Sequence, residues 1–275
     1  MNENIKTVVR EGYAKIAENS SSCCGTANAD QISKKIGYSD DELKAVPENA
    51  NLGLGCGNPV ALASIKEGET VVDLGSGAGF DCFLAANQVG PTGTVIGVDM
   101  TQEMLDKARR NAQKGDYRNV EFRLGEIEHL PIANKTADLI MSNCVINLSP
   151  DKKQVFKEAF RVLKPGGRFM ISDIVLRKDL PEFIRSSLSA YVGCISGAVL
   201  RDSYLGLIRE AGFQDIEIID ETEFPIDGFV NDPTAQTIIQ ELKVSQETIS
   251  EIAKSVVSLK VYGVKPFSHL SDFGL

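Results

Sequence analysis

A chain of 275 residues, of which 43% are hydrophobic, can bury the core of one full α/β domain with appendages, so intrinsic disorder is excluded. The formal net charge of −9 argues against a nucleic-acid substrate, because an acidic surface repels phosphate backbones. No apolar run reaches the roughly 18 residues that span a bilayer, and the N-terminus lacks the apolar core of a signal peptide. We therefore expect a cytoplasmic protein with no membrane partner, in which the six cysteines are free thiols.

Before residue 60, the chain predicts short helices joined by small-residue segments. In chain order these are a helix over residues 4–18, a loop over 20–25 that carries Cys23 and Cys24, and a helix over 40–45 that Ser39 and Glu42 cap. The glycine-rich stretch 51–59 predicts irregular backbone that approaches another group closely.

From residue 69 onward, predicted strands and helices alternate. The strands cover residues 70–74, 94–99, 120–124, 137–143, 168–172, 216–222 and 256–264. The helices cover residues 80–89, 102–114 with Thr101 as the cap, 152–163, 180–193 and 203–211, with a helical insertion near 233–253. Because apolar strands that alternate with helices form buried parallel sheets, we predict a mostly parallel, seven-stranded α/β sheet with helices on both faces.

A glycine-rich turn follows the first of these strands, within residues 71–79. Its G-x-G-x-G spacing differs from the G-x-G-x-x-G of dinucleotide binders, and a tight turn without a ligand is the alternative interpretation. Asp73 precedes the glycines, where a carboxylate can meet an ammonium group but would repel a pyrophosphate. Asp99 ends the next strand and can accept hydrogen bonds from both ribose hydroxyls. A ligand with an amino acid at one end and a ribose in the middle fits S-adenosylmethionine better than NAD.

These motifs resemble those of the class I methyltransferases over about residues 69–222. Residues 71–79 are similar to the first motif of that family, residues 97–100 to its ribose motif, and residues 125–131 to its adenine-contacting loop. The resemblance implies a Rossmann-like fold and S-adenosylmethionine as the cofactor. It also implies a set of cofactor-binding residues: Asp73, Gly75, Ser76, Gly77, Gly79, Asp99, Met100, Glu126, Ile127 and Asn143.

Two of these positions carry qualifications. Glu126 stands where aspartate is common in the family, and its expected partner is the adenine amino group. Met100 is expected against the adenine face, with ordinary core packing as the alternative. The neighbouring Glu128 and His129 are interpreted as solvated loop residues rather than catalysts.

Three cysteines occupy contexts that are unusual for core packing. Cys56 is flanked by glycines, and Cys144 follows the fourth strand at the edge where open α/β sheets bind ligands. Cys194 lies in the glycine-containing segment 191–197. We predict that these thiols converge in one site, whereas Cys82 is interpreted as a small core residue.

The cysteine segments 51–59, 142–148 and 191–198 resemble those of the arsenite methyltransferases, and the likeness extends over most of residues 5–265. It implies that Cys56, Cys144 and Cys194 bind trivalent arsenic or exchange disulfides, and that Cys23 or Cys24 also takes part. The implied partners are trivalent arsenic species as thiol adducts and a thiol reductant of the glutathione or thioredoxin type, and we expect a monomer. Soft thiolates suit arsenic, and attack by its lone pair on a sulfonium methyl removes no proton, so no general base is needed.

The predicted organisation has three regions: a helical lid over 1–50 with the cysteine pair, a cofactor-binding core over 51–178, and arsenic-site elements with the last strands over 179–275. The predicted activity is methyl transfer from S-adenosylmethionine to arsenite and methylated arsenicals, in arsenic detoxification. One alternative is a methyltransferase for a small organic acceptor such as a quinone precursor. Another is a thiol-based metalloid-binding protein without turnover, against which the intact glycines and aspartates count.

Overall fold

The computed structural model describes residues 2–19, 26–185, 191, 194–223 and 246–267. Its strands are β1 Thr70–Leu74, β2 Thr94–Asp99, β3 Val120–Leu124, β4 Ala137–Asn143, β5 Leu163–Leu176, β6 Gln214–Glu223 and β7 Val256–Val264. Its α-helices are α1 Asn2–Asn19, α2 Thr26–Lys35, α3 Asp40–Lys44, α4 Pro59–Leu62, α5 Phe80–Val89, α6 Gln102–Lys114, α7 Lys152–Val162, α8 Glu182–Arg185, α9 Arg201–Glu210 and α10 Gln246–Ser255. A short 3₁₀ helix covers Ile146–Leu148.

The seven strands form one sheet in the order β3-β2-β1-β4-β5-β7-β6. All neighbours pair in parallel except β7, which runs antiparallel to both β5 and β6. The predicted mostly parallel, seven-stranded sheet is therefore confirmed. The strand order reverses at β1, whose neighbours are β2 and β4, and ligands of open α/β sheets bind at the carboxyl ends of strands at such a point.

Apolar side chains cover both faces of the sheet, as the continuous hydrophobic strands require. One core cluster packs Phe156 of α7 and Tyr204 of α9 against β5 and β7. The cluster on the other face packs Phe83 of α5 and Leu105 of α6 against β1 and β2. A third and smaller cluster lies beyond the carboxyl ends of the strands, and α1 contributes the buried Val9 to it.

Several local predictions need correction. Helix α2 was not predicted, because its sequence is polar and, among its described side chains at 29–35, the buried ones are the small Ala29 and Ser33. Strand β5 begins at Leu163 and runs through the predicted turn at 165–167. Thr101 holds the N-cap position of α6, but its side chain makes no capping hydrogen bond.

Parts of three predictions fall outside the described residues. These parts are the loop with Cys23 and Cys24, half of the predicted helix 180–193, and residues 233–245 of the insertion near 233–253. Within the described part of the chain, no helix is both long enough and apolar enough to cross a membrane.

Helix α3 begins with the predicted capping box of Ser39 and Glu42. Ser39 Oγ accepts a hydrogen bond from the Glu42 amide at 3.2 Å, and Glu42 Oε2 accepts one from the Ser39 amide at 2.8 Å. We expect Ser39→Ala to lower the free energy of unfolding by about 1 kcal/mol, because a helix amide loses its acceptor. Urea denaturation measures the change. The control Ser39→Asn keeps a capping oxygen and should retain most of the stability, so equal losses in both variants would contradict a capping role.

Candidate active site

The glycine turn after β1 forms an open cradle. Its backbone is tied to β2, since the amides of Gly75 and Ser76 donate to the Val98 carbonyl at 2.8 and 3.0 Å. Gly77 has a left-handed φ of +51°, and a Cβ atom built there would meet no atom of the described chain within 4 Å. The buried Ser76 hydroxyl has no hydrogen-bond partner among the described residues. An open backbone position beside an unpaired buried hydroxyl fits a ligand that lies against the turn.

Asp99 closes one side of this cradle at the end of β2. Its carboxylate accepts hydrogen bonds from the Gly77 amide at 2.9 Å and the Thr101 amide at 2.8 Å. Burial raises the pKa of Asp99, and these backbone donors oppose the rise. The carboxylate is thereby held in position beside the open face of Gly77.

Two further buried carboxylates lie behind the turn. Asp73 on β1 accepts a hydrogen bond from the Cys82 thiol at 3.2 Å. Burial, reinforced by the charge of Asp81, raises the pKa of Asp73 well above its ordinary value. Burial also raises the pKa of Asp81 to about 6, although hydrogen bonds from Tyr38 and Asn143 oppose the rise. Clustered buried carboxylates favour a cationic ligand, because an opposite charge offsets their mutual repulsion.

The side chain of Asn143, at the end of β4, joins this carboxylate cluster to the segment that carries Cys56. Its amide group donates to the Gly57 carbonyl at 2.8 Å and to Asp81 at 3.2 Å. Its oxygen accepts a hydrogen bond from the Cys56 amide at 3.0 Å. A Cβ atom on Gly55 would lie 2.9 Å from the Asn143 amide nitrogen, so the glycine permits this close approach.

The structure brings together the three thiols that the sequence singles out. The Cys56 and Cys144 sulfurs and a carboxylate oxygen of Asp173 all lie within 4.8 Å of one another. The Cys194 thiol donates to the Cys144 carbonyl at 3.0 Å. Hydrogen bonds with the thiols of Cys194 and Cys56, together with burial, raise the pKa of Cys144 well above its ordinary value. Cys144 is therefore the middle member of the three.

Two of these cysteines adopt a backbone conformation that residues other than glycine rarely adopt. The φ angles of Cys144 and Cys194 are +59° and +62°, in the left-handed region. Such residues cost about 1–3 kcal/mol each and cluster at functional sites. The Cys144 amide is fixed by the Ser172 carbonyl at 2.8 Å, and the Cys194 amide by the Tyr191 carbonyl at 3.0 Å.

Sequence reasoning missed two buried aspartates in the site. Asp173 on β5 accepts hydrogen bonds from the Tyr204 hydroxyl at 3.0 Å and the Asn147 amide at 2.9 Å, and burial raises its pKa to about 7. The other is Asp81. Each is the single charged residue of an apolar run, at 80–86 and 169–176 respectively, and that pattern is the available signal.

Ion pairs connect helix α1 to the loop that follows β3. Lys6 pairs with Glu126 at 2.7 Å and with Glu128 at 3.2 Å. The prediction that Glu128 is a solvated loop residue is wrong, because Glu128 is 5% exposed and accepts a hydrogen bond from Ser149 at 2.6 Å. His129 is exposed, as expected.

The remaining predicted positions lie at different depths. Ile127 belongs to the core cluster that contains Phe156 and Tyr204. The partly buried Met100 packs against the third cluster, which contains Cys56 and Cys194 and is called the thiol cluster below. Cys82 is fully buried in the core, as predicted. Cys23 and Cys24 lie outside the described residues.

Comparison with known proteins identifies the relatives of this chain. A family model described as a methyltransferase domain matches residues 65–212. An arsenite methyltransferase of Halobacterium salinarum is 46% identical, in a match that covers 88% of this chain and 65% of that protein. An arsenite methyltransferase of Aquipseudomonas alcaligenes is 37% identical over 79% of this chain and 64% of its own length.

A solved structure agrees with these relatives. The crystal structure of an arsenic(III) S-adenosylmethionine methyltransferase from Chlamydomonas reinhardtii matches with a TM-score of 0.61 and 31% sequence identity. The match covers 87% of this chain and 74% of that one. The chain thus spans a little under two thirds of the length of the curated relatives it matches.

The buried Asp81 generates a pH-dependent prediction. A carboxyl whose pKa is about 6 in the folded state and about 3.9 when unfolded stabilises the fold only while it holds its proton. Its contribution is complete below the unfolded pKa and is lost as the pH rises to about 6. We expect Asp81→Asn to gain stability relative to the unchanged protein across this window, by at most about 3 kcal/mol, with no further change above it.

Urea denaturation at a series of pH values checks this expectation. The control Glu217→Gln, on the exposed edge strand, should show no such pH-dependent difference. A difference for Asp81→Asn that is flat between about pH 4 and pH 6 would contradict a buried, proton-holding carboxyl.

Proposed function

The chain belongs to the methyltransferase family, among the arsenite methyltransferases, and from this premise we propose that it transfers a methyl group from S-adenosylmethionine to thiol-bound trivalent arsenic. The acceptors are arsenite and methylated arsenicals, and the role is arsenic detoxification. The observation that carries the proposal is the convergence of Cys56, Cys144 and Cys194 at the same sheet edge as the glycine cradle. Methyl transfer to an organic acceptor does not need three thiols at that edge, of which Cys144 contacts both of the others.

The residues of the cradle fit the cofactor. Bound S-adenosylmethionine supplies an electrophilic methyl group on a positively charged sulfur. Asp99 would accept the ribose hydroxyls, and the open position at Gly77 would let the backbone lie against the cofactor. The buried carboxylates, Asp73 foremost, provide the negative charge that an ammonium and a sulfonium require.

The thiols would hold arsenic as a soft centre. As each thiol binds, its proton leaves with the displaced hydroxyl as water, or with a displaced thiolate as free thiol. The arsenic lone pair then attacks the methyl carbon, so an As–C bond forms, the S–CH₃ bond breaks, and arsenic is formally oxidised to As(V). No proton is removed in that step, and the protein's contribution is the alignment of the two reactants.

Return of arsenic to the trivalent state needs two electrons, which two site thiols can supply by forming a disulfide. The contact of Cys144 with both Cys194 and Cys56 supports Cys144 as the central arsenic ligand. In this proposal Cys144 and Cys194 form the principal arsenic pair, and Cys56 is the third ligand or the resolving thiol. An external thiol reductant of the glutathione or thioredoxin type would then reopen the disulfide. Cys23 or Cys24 would add a thiol needed mainly for inorganic arsenite.

The regional division of the chain belongs to the same proposal. Residues 1–50 would act as a lid over a cofactor core at 51–178, and residues 179–275 would complete the arsenic site, in a monomer. The packing of Val9 into the thiol cluster and the Lys6–Glu126 pair support a covering role for the N-terminal helix. Closing lids exclude water and complete a site.

Transfer of a radiolabelled methyl group tests the function directly. The assay contains S-adenosylmethionine labelled in the methyl carbon, arsenite and a thiol reductant, and the products are separated chromatographically. Label on arsenic supports the proposal. Label on an organic acceptor alone, or tight arsenite binding without any transfer, would refute it.

The cofactor site generates one prediction. Asp99→Ala should weaken the binding of S-adenosylhomocysteine at least about tenfold, because each hydrogen bond to a charged group contributes about 1.5–3 kcal/mol. Isothermal titration calorimetry gives the affinity. The control Asp106→Ala removes a carboxylate of α6 that pairs with Arg109 on the surface, and it should bind normally. Unchanged affinity in Asp99→Ala would rule out this carboxylate as the ribose acceptor.

The thiol site generates another. Cys144→Ser should abolish methylation of both arsenite and a monosubstituted arsenical, because the central thiol is lost. The matched control is Cys82→Ser, which keeps a donor to Asp73 and should remain active with at most a modest loss of stability. Methylation assays on both substrates decide the outcome. Full activity of Cys144→Ser on both would remove this residue from the arsenic site.

A further inference from the structure

Helix α1 delivers a tyrosine hydroxyl to the thiol cluster. Ile5, Val9 and Tyr13 recur every four residues and so lie along one face of the helix. All three pack against the cluster that contains Cys56 and Cys194. The Tyr13 hydroxyl lies 4.0 Å from the Cys194 sulfur, within hydrogen-bonding reach of a sulfur atom.

The hydrogen-bonding needs of Cys194 change when it binds arsenic. As a thiol, Cys194 donates its proton to the Cys144 carbonyl. Once arsenic replaces that proton, the sulfur has nothing to donate and carries lone pairs and partial negative charge. A buried acceptor of this kind needs a donor, because an unpaired buried polar group is costly.

Tyr13 is placed to be that donor. Its hydroxyl carries a proton at neutral pH. Val9, one turn earlier on the same face of α1, is 1% exposed and belongs to the same cluster, so its burial holds this face of the helix in place. We propose that Tyr13 is a positioning residue that hydrogen-bonds the arsenic-bound sulfur of Cys194. Through this bond, the packing of α1 beside the thiols contributes to the binding of the trivalent arsenical. This inference rests on the proposed function and assigns a role in it to the N-terminal helix.

A binding experiment separates this role from simple packing. Phenylarsenite is titrated into the full chain while the ultraviolet absorbance of arsenic–thiolate bonds is followed, so the readout does not depend on methyl transfer. Tyr13→Phe keeps the ring and removes the hydroxyl. It should bind phenylarsenite about five- to tenfold more weakly, the loss expected for one hydrogen bond to a sulfur that carries partial charge.

Two further readings accompany the titration of the same variant. The affinity for S-adenosylhomocysteine and the midpoint of thermal unfolding should stay unchanged, because the packing of α1 is preserved. The control Tyr117→Phe removes a hydroxyl that donates to the Ala45 carbonyl, away from the thiols, and should bind phenylarsenite normally.

Two outcomes would overturn the inference. One is equal phenylarsenite affinity in Tyr13→Phe and the unchanged protein. The other is a parallel loss of arsenical affinity, S-adenosylhomocysteine affinity and thermal stability, which would assign Tyr13 to packing alone. If the radiolabel assay with arsenite shows no methyl transfer to arsenic, the proposed function fails, whereas the phenylarsenite titration still decides whether the Tyr13 hydroxyl contributes to arsenical binding.

Discussion

The side-chain amide of Asn143 connects three separate stretches of the chain at the carboxyl edge of the sheet. It bonds to the Tyr38 hydroxyl after α2, to the backbone of the Cys56 segment, and to Asp81 at the start of α5. The thiol site depends on this connection, because the Cys56 segment contributes no strand and has to be held against the sheet by other means. Gly57 imposes a matching constraint, since a Cβ atom there would collide with the Ser172 hydroxyl. A side chain at that position would push Cys56 away from the other thiols.

The same network brings negative charge into a buried region. Asp73 and Asp81 are less than a tenth exposed, and burial raises the pKa of each. Natural proteins rarely bury unpaired carboxylates without a compensating charge. Asp73 receives a thiol hydrogen bond from Cys82, a weak donor. The negative charge of these carboxylates therefore suits a cationic ligand. Binding of such a ligand would stabilise this region and would also place the cofactor for the proposed methyl transfer.

Backbone strain at Cys144 and Cys194 also indicates a functional site. Cys144 and Cys194 both adopt left-handed φ angles, which a non-glycine residue keeps only when its surroundings impose them. The imposing groups are the Ser172 and Tyr191 carbonyls, which hold the two amides. In this conformation the Cys194 thiol reaches the Cys144 carbonyl at 3.0 Å, so the two strained residues lie in direct contact. Preorganisation of this kind reduces the entropy lost when a small ligand is held by several groups.

The sequence by itself determined the sheet, the glycine cradle with Asp99, and the identity of the three thiols. These features are local: strand periodicity, the spacing of three glycines and the flanks of each cysteine can all be read within about ten residues. Only the tertiary structure decided that Glu128 is buried, that Asp81 and Asp173 belong to the site, and that α1 brings Tyr13 to Cys194. Burial and proximity between residues as far apart as 13 and 194 depend on how helices pack over a sheet edge. No local pattern records that packing, because its free energy comes from contacts between segments distant in the chain.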